Sequence, residues 1–165
     1  MSTSIALCKF VGTISLGLLT GVSYTLSTLT LPSLLTLPSA KPAAYTLRQT
    51  ARLANLHITA LSALSTLSLG LAFALSPKRI RHPYLLWTAA IAAGSGGMSF
   101  VIGDGFGKGL GKGRGKDFGM EEMGDVNGEG VERRARELQW GEVLRMGVSG
   151  VGFVMGVVGI WGDGA

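Results

Sequence analysis

The chain has a single cysteine, Cys8, so it forms no internal disulfide and no multi-cysteine metal site. Charge is scarce as well: 15% of residues are Asp, Glu, Lys or Arg, well under the roughly one quarter usual in soluble domains. There are two histidines, and no Cys, His, Asp and Glu constellation forms inside or beside the apolar stretches, so a catalytic role, a cofactor and a metal are not expected. From Gly103 to Glu142 there is no Ser, Thr or Tyr, which excludes a phosphorylation switch there. The start, Met-Ser, lacks the glycine that myristoylation needs, and no Arg-rich amphipathic presequence precedes the first apolar run. That run is expected to be a retained anchor. Cys8 beside it reads as a small buried apolar residue, with palmitoylation as the alternative.

What is abundant is apolar surface. Hydrophobic residues make up 47% of the chain and mean hydropathy is +0.39. The net charge of +5 would suit nucleic acid, but the cations flank apolar spans or mix with acids, so membrane lipid is the better partner. The expected fold is an all-α membrane protein: a bundle of about four transmembrane helices, with a flexible Gly-rich polar loop between the third and fourth. The expected division is a three-span region over 1–102, a loop over 103–142, and a last span with a short tail over 143–165.

The first span, about 5–31, is interrupted only by Lys9, expected to snorkel to the interface. Gly17 and Gly21 form a Gly-x-x-x-Gly pair that lets a neighbouring helix approach closely. Pro32, Pro38 and Pro42 are expected to break the helix before the second span, about 53–75. His57, near the start of that span and without a titratable companion, reads as an interfacial or packing residue. The third span, 83–103, carries Gly94, Ser95, Gly96 and Gly97, read as a packing seam rather than a broken transport helix. The last, 143–161, has Arg145 near its start, placed to reach back to the interface, and a second Gly-x-x-x-Gly at Gly152 and Gly156, suited to packing within the bundle or with another copy.

Between spans two and three, Pro77 and Pro83 bracket Lys78, Arg79, Arg81 and His82, and Tyr84 and Trp87 follow. Prolines stop one helix and start the next, cations are costly in hydrocarbon, and aromatics suit the headgroup layer, so this is a tight turn at a membrane surface. After span three, glycine fills every odd position from Gly103 to Gly115. So much glycine has too much backbone entropy to fold alone, which predicts a connector. None of its Gly-Lys steps is followed by Ser or Thr, so it is not a phosphate-binding P-loop, and a single Arg-Gly step gives no basis for RNA binding. From Glu129 to Glu142 a short surface helix is predicted, with Glu132–Arg136 and Arg133–Glu137 four residues apart.

Arg81-His82-Pro83-Tyr84-Leu85-Leu86, opening an apolar span, and Val157-Val-Gly-Ile-Trp-Gly-Asp-Gly164 at the end resemble the central and closing motifs of the fungal autophagy-related protein 33 family. The plan is similar too: two spans before the motif, one after it, a variable polar insert and a last span. The resemblance implies a multi-pass protein of the mitochondrial outer membrane that promotes mitophagy as a receptor or adaptor. A small transporter or channel subunit is the alternative. It would need polar residues facing a shared pore, and the spans offer mainly Ser, Thr and His57.

Trp140-Gly141-Glu142-Val143 has an aromatic followed three residues later by an aliphatic, and resembles the motif by which selective-autophagy proteins add a strand to ubiquitin-like modifiers. Glu137 and Glu142 suit that motif. The competing reading makes Trp140 an interfacial belt residue before the last span. With four spans the termini share one side. The positive-inside count favours a cytosolic loop between spans three and four, against the compact Lys78-Arg-Ile-Arg81 turn on the other side.

Overall fold

The computed structural model describes residues 3–76, 82–109 and 128–162, with backbone alone from 100 to 109. Among the described residues the chain is helical, with no strand. Helix α1 runs Thr3–Leu34, α2 Ala40–Leu75, α3 Tyr84–Gly109 and α4 Gly128–Gly162. Three of them, α1, α2 and α4, are long and apolar enough to cross a membrane.

The helices overrun the expected spans, and local chemistry explains how. Pro32 does not end α1. A wide turn over Leu26–Thr30 precedes it, in which the N–H of Leu31 reaches the carbonyl of Leu26. Such a turn relaxes the clash that a proline ring would make with the carbonyl four residues back. The tight turns Leu35 N–H to Pro32 O and Thr36 N–H to Ser33 O then close the helix. Of the three prolines only Pro38 lies between helices. Pro42 sits in the first turn of α2, where the missing N–H would have had no intrahelical partner. Similarly, the predicted surface helix from Glu129 is continuous with the last span as α4, and α3 continues past Gly103 to Gly109. Of the predicted connector, residues 110–127 lie outside the described residues, as do Pro77–Arg81 of the turn.

Each helix packs chiefly against two neighbours, α1 on α2 and α4, and α3 on α2 and α4, and α2 also touches α4 at one end. Contacts run in opposite senses along every pair. Gly12 meets Leu69, while Leu31 shares a core with Ala44 and Leu47, so α1 and α2 are antiparallel. Tyr84 meets Gly159 and Ser95 meets Arg145, so α3 and α4 are too. The outcome is an up-down-up-down ring with apolar layers at Ile5, Leu69, Ala72 and Leu85, and at Leu16, Leu19, Ile58 and Ala92. A third layer of Leu31, Leu34, Ala44, Leu47, Val131 and Ala135 joins α1, α2 and α4.

Inside and outside are inverted relative to a water-soluble bundle. Ser23, Ser65, Thr88, Ser95 and Ser149 are fully buried, whereas Leu7, Phe10, Leu18, Leu67, Leu71, Leu144 and Val158 are exposed. An exposed apolar surface this continuous suits lipid as solvent. In that setting helices are held by close packing and hydrogen bonds rather than by the hydrophobic effect. Both devices are present. Ser65 Oγ donates to Gly12 O at 2.9 Å, Ser62 Oγ to Ala92 O at 2.7 Å, and Thr20 Oγ1 to Ser149 Oγ at 3.0 Å. A Cβ placed on Gly152 would fall 2.8 Å from Ile91 Cγ2 and 3.0 Å from Leu16 Cδ2; one on Gly156, 3.0 Å from Thr13 Oγ1; one on Gly17, 2.8 Å from Phe153 Cε2. Gly21 is different: nothing lies within 4 Å of that point, and the residue opens onto a shallow apolar groove.

Gly152→Leu is therefore expected to destabilise the bundle by roughly 2 kcal/mol, a typical overpacking cost, measured as a lower midpoint of thermal unfolding in detergent. Gly21→Leu, which has room, should leave that midpoint unchanged or raise it.

Candidate functional site

At one end of the bundle the two stretches that carry the family resemblance come together. Tyr84 begins α3, after the chain passes Pro83 and accepts the N–H of Leu86 on the Pro83 carbonyl. Its ring lies against Gly159 of α4, where any Cβ would collide with it. Lys9 of α1 places Nζ 5.8 Å from the centre of the same ring, a cation–π distance. His82 tilts against Tyr84 with ring centroids 6.0 Å apart. Lys9 was expected to reach the interface; instead its side chain is buried, 3% exposed, because the Tyr84 face offers a partner inside the bundle. Arg81 lies outside the described residues. Cys8 is half-buried beside this layer. His57 is on the exterior, with Nδ1 2.7 Å from the Leu53 carbonyl.

Toward the other end stands a feature the sequence reading missed. Arg145 is the bulkiest fully buried side chain among the described residues, 0% exposed, rather than an interfacial snorkeller. Its Nε donates to Ser95 O at 3.1 Å, Nη2 to Ser99 Oγ at 3.2 Å, and Nη1 pairs with Glu142 Oε1. Ser149, one turn on, donates its hydroxyl to the Arg145 carbonyl at 2.7 Å. Glu142 is 6% exposed, and its second oxygen, Oε2, has no hydrogen-bond partner. The small side chains of the seam at Ser95 and Ser99 are what let a guanidinium enter between α3 and α4. The signal was present as a charged residue inside an apolar run. Glu142, three residues before it, was legible as well; what could not be read was that the pair is buried next to Ser95 and Ser99 on another helix.

Glu142 sits between Trp140 and Val143. Trp140 is 70% exposed and Val143 is half-buried. All four residues of the stretch are helical, so pairing as an added strand requires this turn to open. Trp140 and Trp161, the latter also exposed, are 21 positions apart on α4, about 31 Å at 1.5 Å per residue. That equals the thickness of a bilayer's hydrocarbon core, about 30 Å. The twelve residues Gly128–Gln139 that precede Trp140 carry ion pairs, Glu132–Arg136 at 2.9 Å, Arg133–Glu137 at 3.7 Å and Arg134–Glu137 at 3.0 Å. Lys41 and Arg48 of α2 belong to the same end. This helical head is anchored by Gln139 Nε2 donating to Ser27 O at 2.9 Å. Among the described residues no three His, Cys, Asp or Glu side chains are grouped to hold a metal ion.

Comparison with known proteins agrees with the motifs. The profile of a family described as autophagy-related protein 33 matches residues 1–112. The chain is 37% identical over 193 aligned positions to autophagy-related protein 33 of Gibberella zeae, covering 99% of this chain and 93% of that protein. No solved structure matches. The profile takes in the Tyr84 end of α3, and the full-length similarity extends across α4 with Gly159 and Arg145. The chain belongs to the autophagy-related protein 33 family.

Proposed function

We propose that this protein is a multi-pass component of the mitochondrial outer membrane that promotes selective autophagy of mitochondria, acting as a membrane-anchored receptor or adaptor rather than as a catalyst. The observation that carries the reading is the joining of family membership to an apolar exterior wrapped around a hydrogen-bonded interior. Such a body anchors, and the polar end of the bundle is what remains for partners. Trp140 and Val143 are the proposed contact with a ubiquitin-like autophagy modifier, and membrane lipid is the partner of the exterior. The proposed partner-facing region is accordingly the helical end Gly128–Gln139 with its α1 and α2 neighbours, plus residues 110–127, rather than a free arm over 103–142; the helicity of Gly128–Gln139 supports this reading.

The transporter alternative is weakened, because several interior hydroxyls serve the helices themselves: Ser15 bonds to Val11 O, Ser95 to Ile91 O and Thr88 to Tyr84 O, although the buried hydroxyls of Thr13, Ser23 and Thr66 have no partner. A hydroxyl satisfied by its own helix backbone offers little to a passing solute.

Two experiments test the proposal. A fluorescent fusion should coincide with an outer-membrane marker, and the protein should stay in the pellet after alkaline carbonate extraction; release into the supernatant would refute membrane anchoring. Deleting residues 110–127 leaves every described contact in place, so the variant should remain in the membrane. Its mitophagy flux, measured by cleavage of a matrix reporter in cells lacking the native copy, is expected to fall at least several-fold if this segment serves partners, and full flux would confine partner contact to the helical head.

A further inference from the structure

The recognition stretch and the buried ion pair share a residue. Extending Trp140–Val143 into an added strand draws the Glu142 carboxylate away from Arg145, whose guanidinium would remain between α3 and α4 on Ser95 O and Ser99 Oγ. Removing one partner of a buried pair is strongly unfavourable, because the other charge is left uncompensated. The other parts of the motif resist little: Trp140 is already exposed and loses no burial by moving, and Val143 is half-buried. Among the side chains of the stretch, the opposition to opening is thus concentrated in one contact, added to the backbone hydrogen bonds of the helical turn. That contact is also incomplete, since Glu142 is held through Oε1 while the buried Oε2 has no partner.

We propose that the Glu142–Arg145 pair is an autoinhibitory contact. It keeps Trp140–Val143 helical, and so unable to pair with the strand edge of a ubiquitin-like modifier, until a shift of α3 frees Arg145. This rests on the reading of Trp140 and Val143 as the modifier contact. Helix α3 is the natural gate, because Ser95 and Ser99 position the guanidinium. When only a small fraction of molecules has the open turn, the apparent affinity for the modifier falls by that fraction.

The test uses the full-length protein in phospholipid nanodiscs, with two readouts: amide hydrogen exchange over residues 139–146, and binding to a purified ubiquitin-like autophagy modifier. Arg145→Gln should speed exchange at least tenfold and tighten modifier binding at least tenfold. Ser99→Ala, which removes one of the guanidinium's bonds and disturbs the fold least, should shift both readouts the same way by a smaller factor. The double variant Glu142→Leu with Arg145→Leu replaces the pair by apolar packing and should restore slow exchange and weak binding. Adding Trp140→Ala to Arg145→Gln should abolish binding while exchange stays fast. Unchanged exchange in both Arg145→Gln and Ser99→Ala overturns the autoinhibitory contact. Fast exchange in Arg145→Gln with no gain in modifier binding overturns instead the reading of Trp140 and Val143 as a modifier contact.

Discussion

Close approach of helix backbones is the constraint on which this bundle depends. Where the surroundings are as apolar as the side chains, burying a leucine gains little, and helices adhere through dispersion contacts and hydrogen bonds that short side chains permit. Hence serines such as Ser23, Ser65, Ser95 and Ser149 share the inward faces with buried leucines, while many other leucines, valines and the tryptophans Trp87, Trp140 and Trp161 face outward. Every neighbouring pair of helices shares at least one such device. Ser65 joins α2 to the Gly12 carbonyl of α1, Ser62 joins α2 to Ala92 of α3, Thr20 joins α1 to Ser149 of α4, and Arg145 joins α4 to Ser95 of α3. Individually these are weak, of order 0.6 kcal/mol for hydrogen bonds between membrane helices. Their distribution around the ring makes the assembly specific.

The Arg145 cluster differs in kind from the hydroxyl bonds. A buried charge is costly to leave unpaired, and Arg145 contacts both Ser95 and Ser99 of α3 and Glu142 beside Trp140. Tyr84 does something comparable at the opposite end, where Gly159 and Lys9 hold the first turn of α3. α3 is thus gripped at two levels fourteen residues apart on α4, at Gly159 and at Arg145, once by an aromatic ring in a glycine recess and once by a guanidinium between serines. The motifs that mark the family account for the first grip. The second lies outside them.

Much of this was legible residue by residue. The predicted ion pairs Glu132–Arg136 and Arg133–Glu137 both form, because partners four apart on a helix meet whatever surrounds it. Gly17, Gly152 and Gly156 stand at close helix contacts, but Gly21, of identical local pattern, faces open space. A Gly-x-x-x-Gly spacing states that one face is flat and leaves open which neighbour uses it. Prolines misled in the opposite direction. Pro32 and Pro42 were read as helix breakers, yet a wide turn before one and a first-turn position for the other let both helices continue. These accommodations cost little and leave no mark in composition.

The sequence alone therefore determined the helical class, the apolar spans, the scarcity of catalytic groups and the family, since each depends on residue type or on spacing along one helix. Tertiary structure alone decided that Arg145 and Lys9 point inward, that Tyr84 rests on Gly159, and that Glu142 belongs to a buried pair. A charged side chain near a helix end has two ways to be satisfied, by reaching to water or by finding a partner inside. The choice between them is made by residues on other helices, far away in the chain.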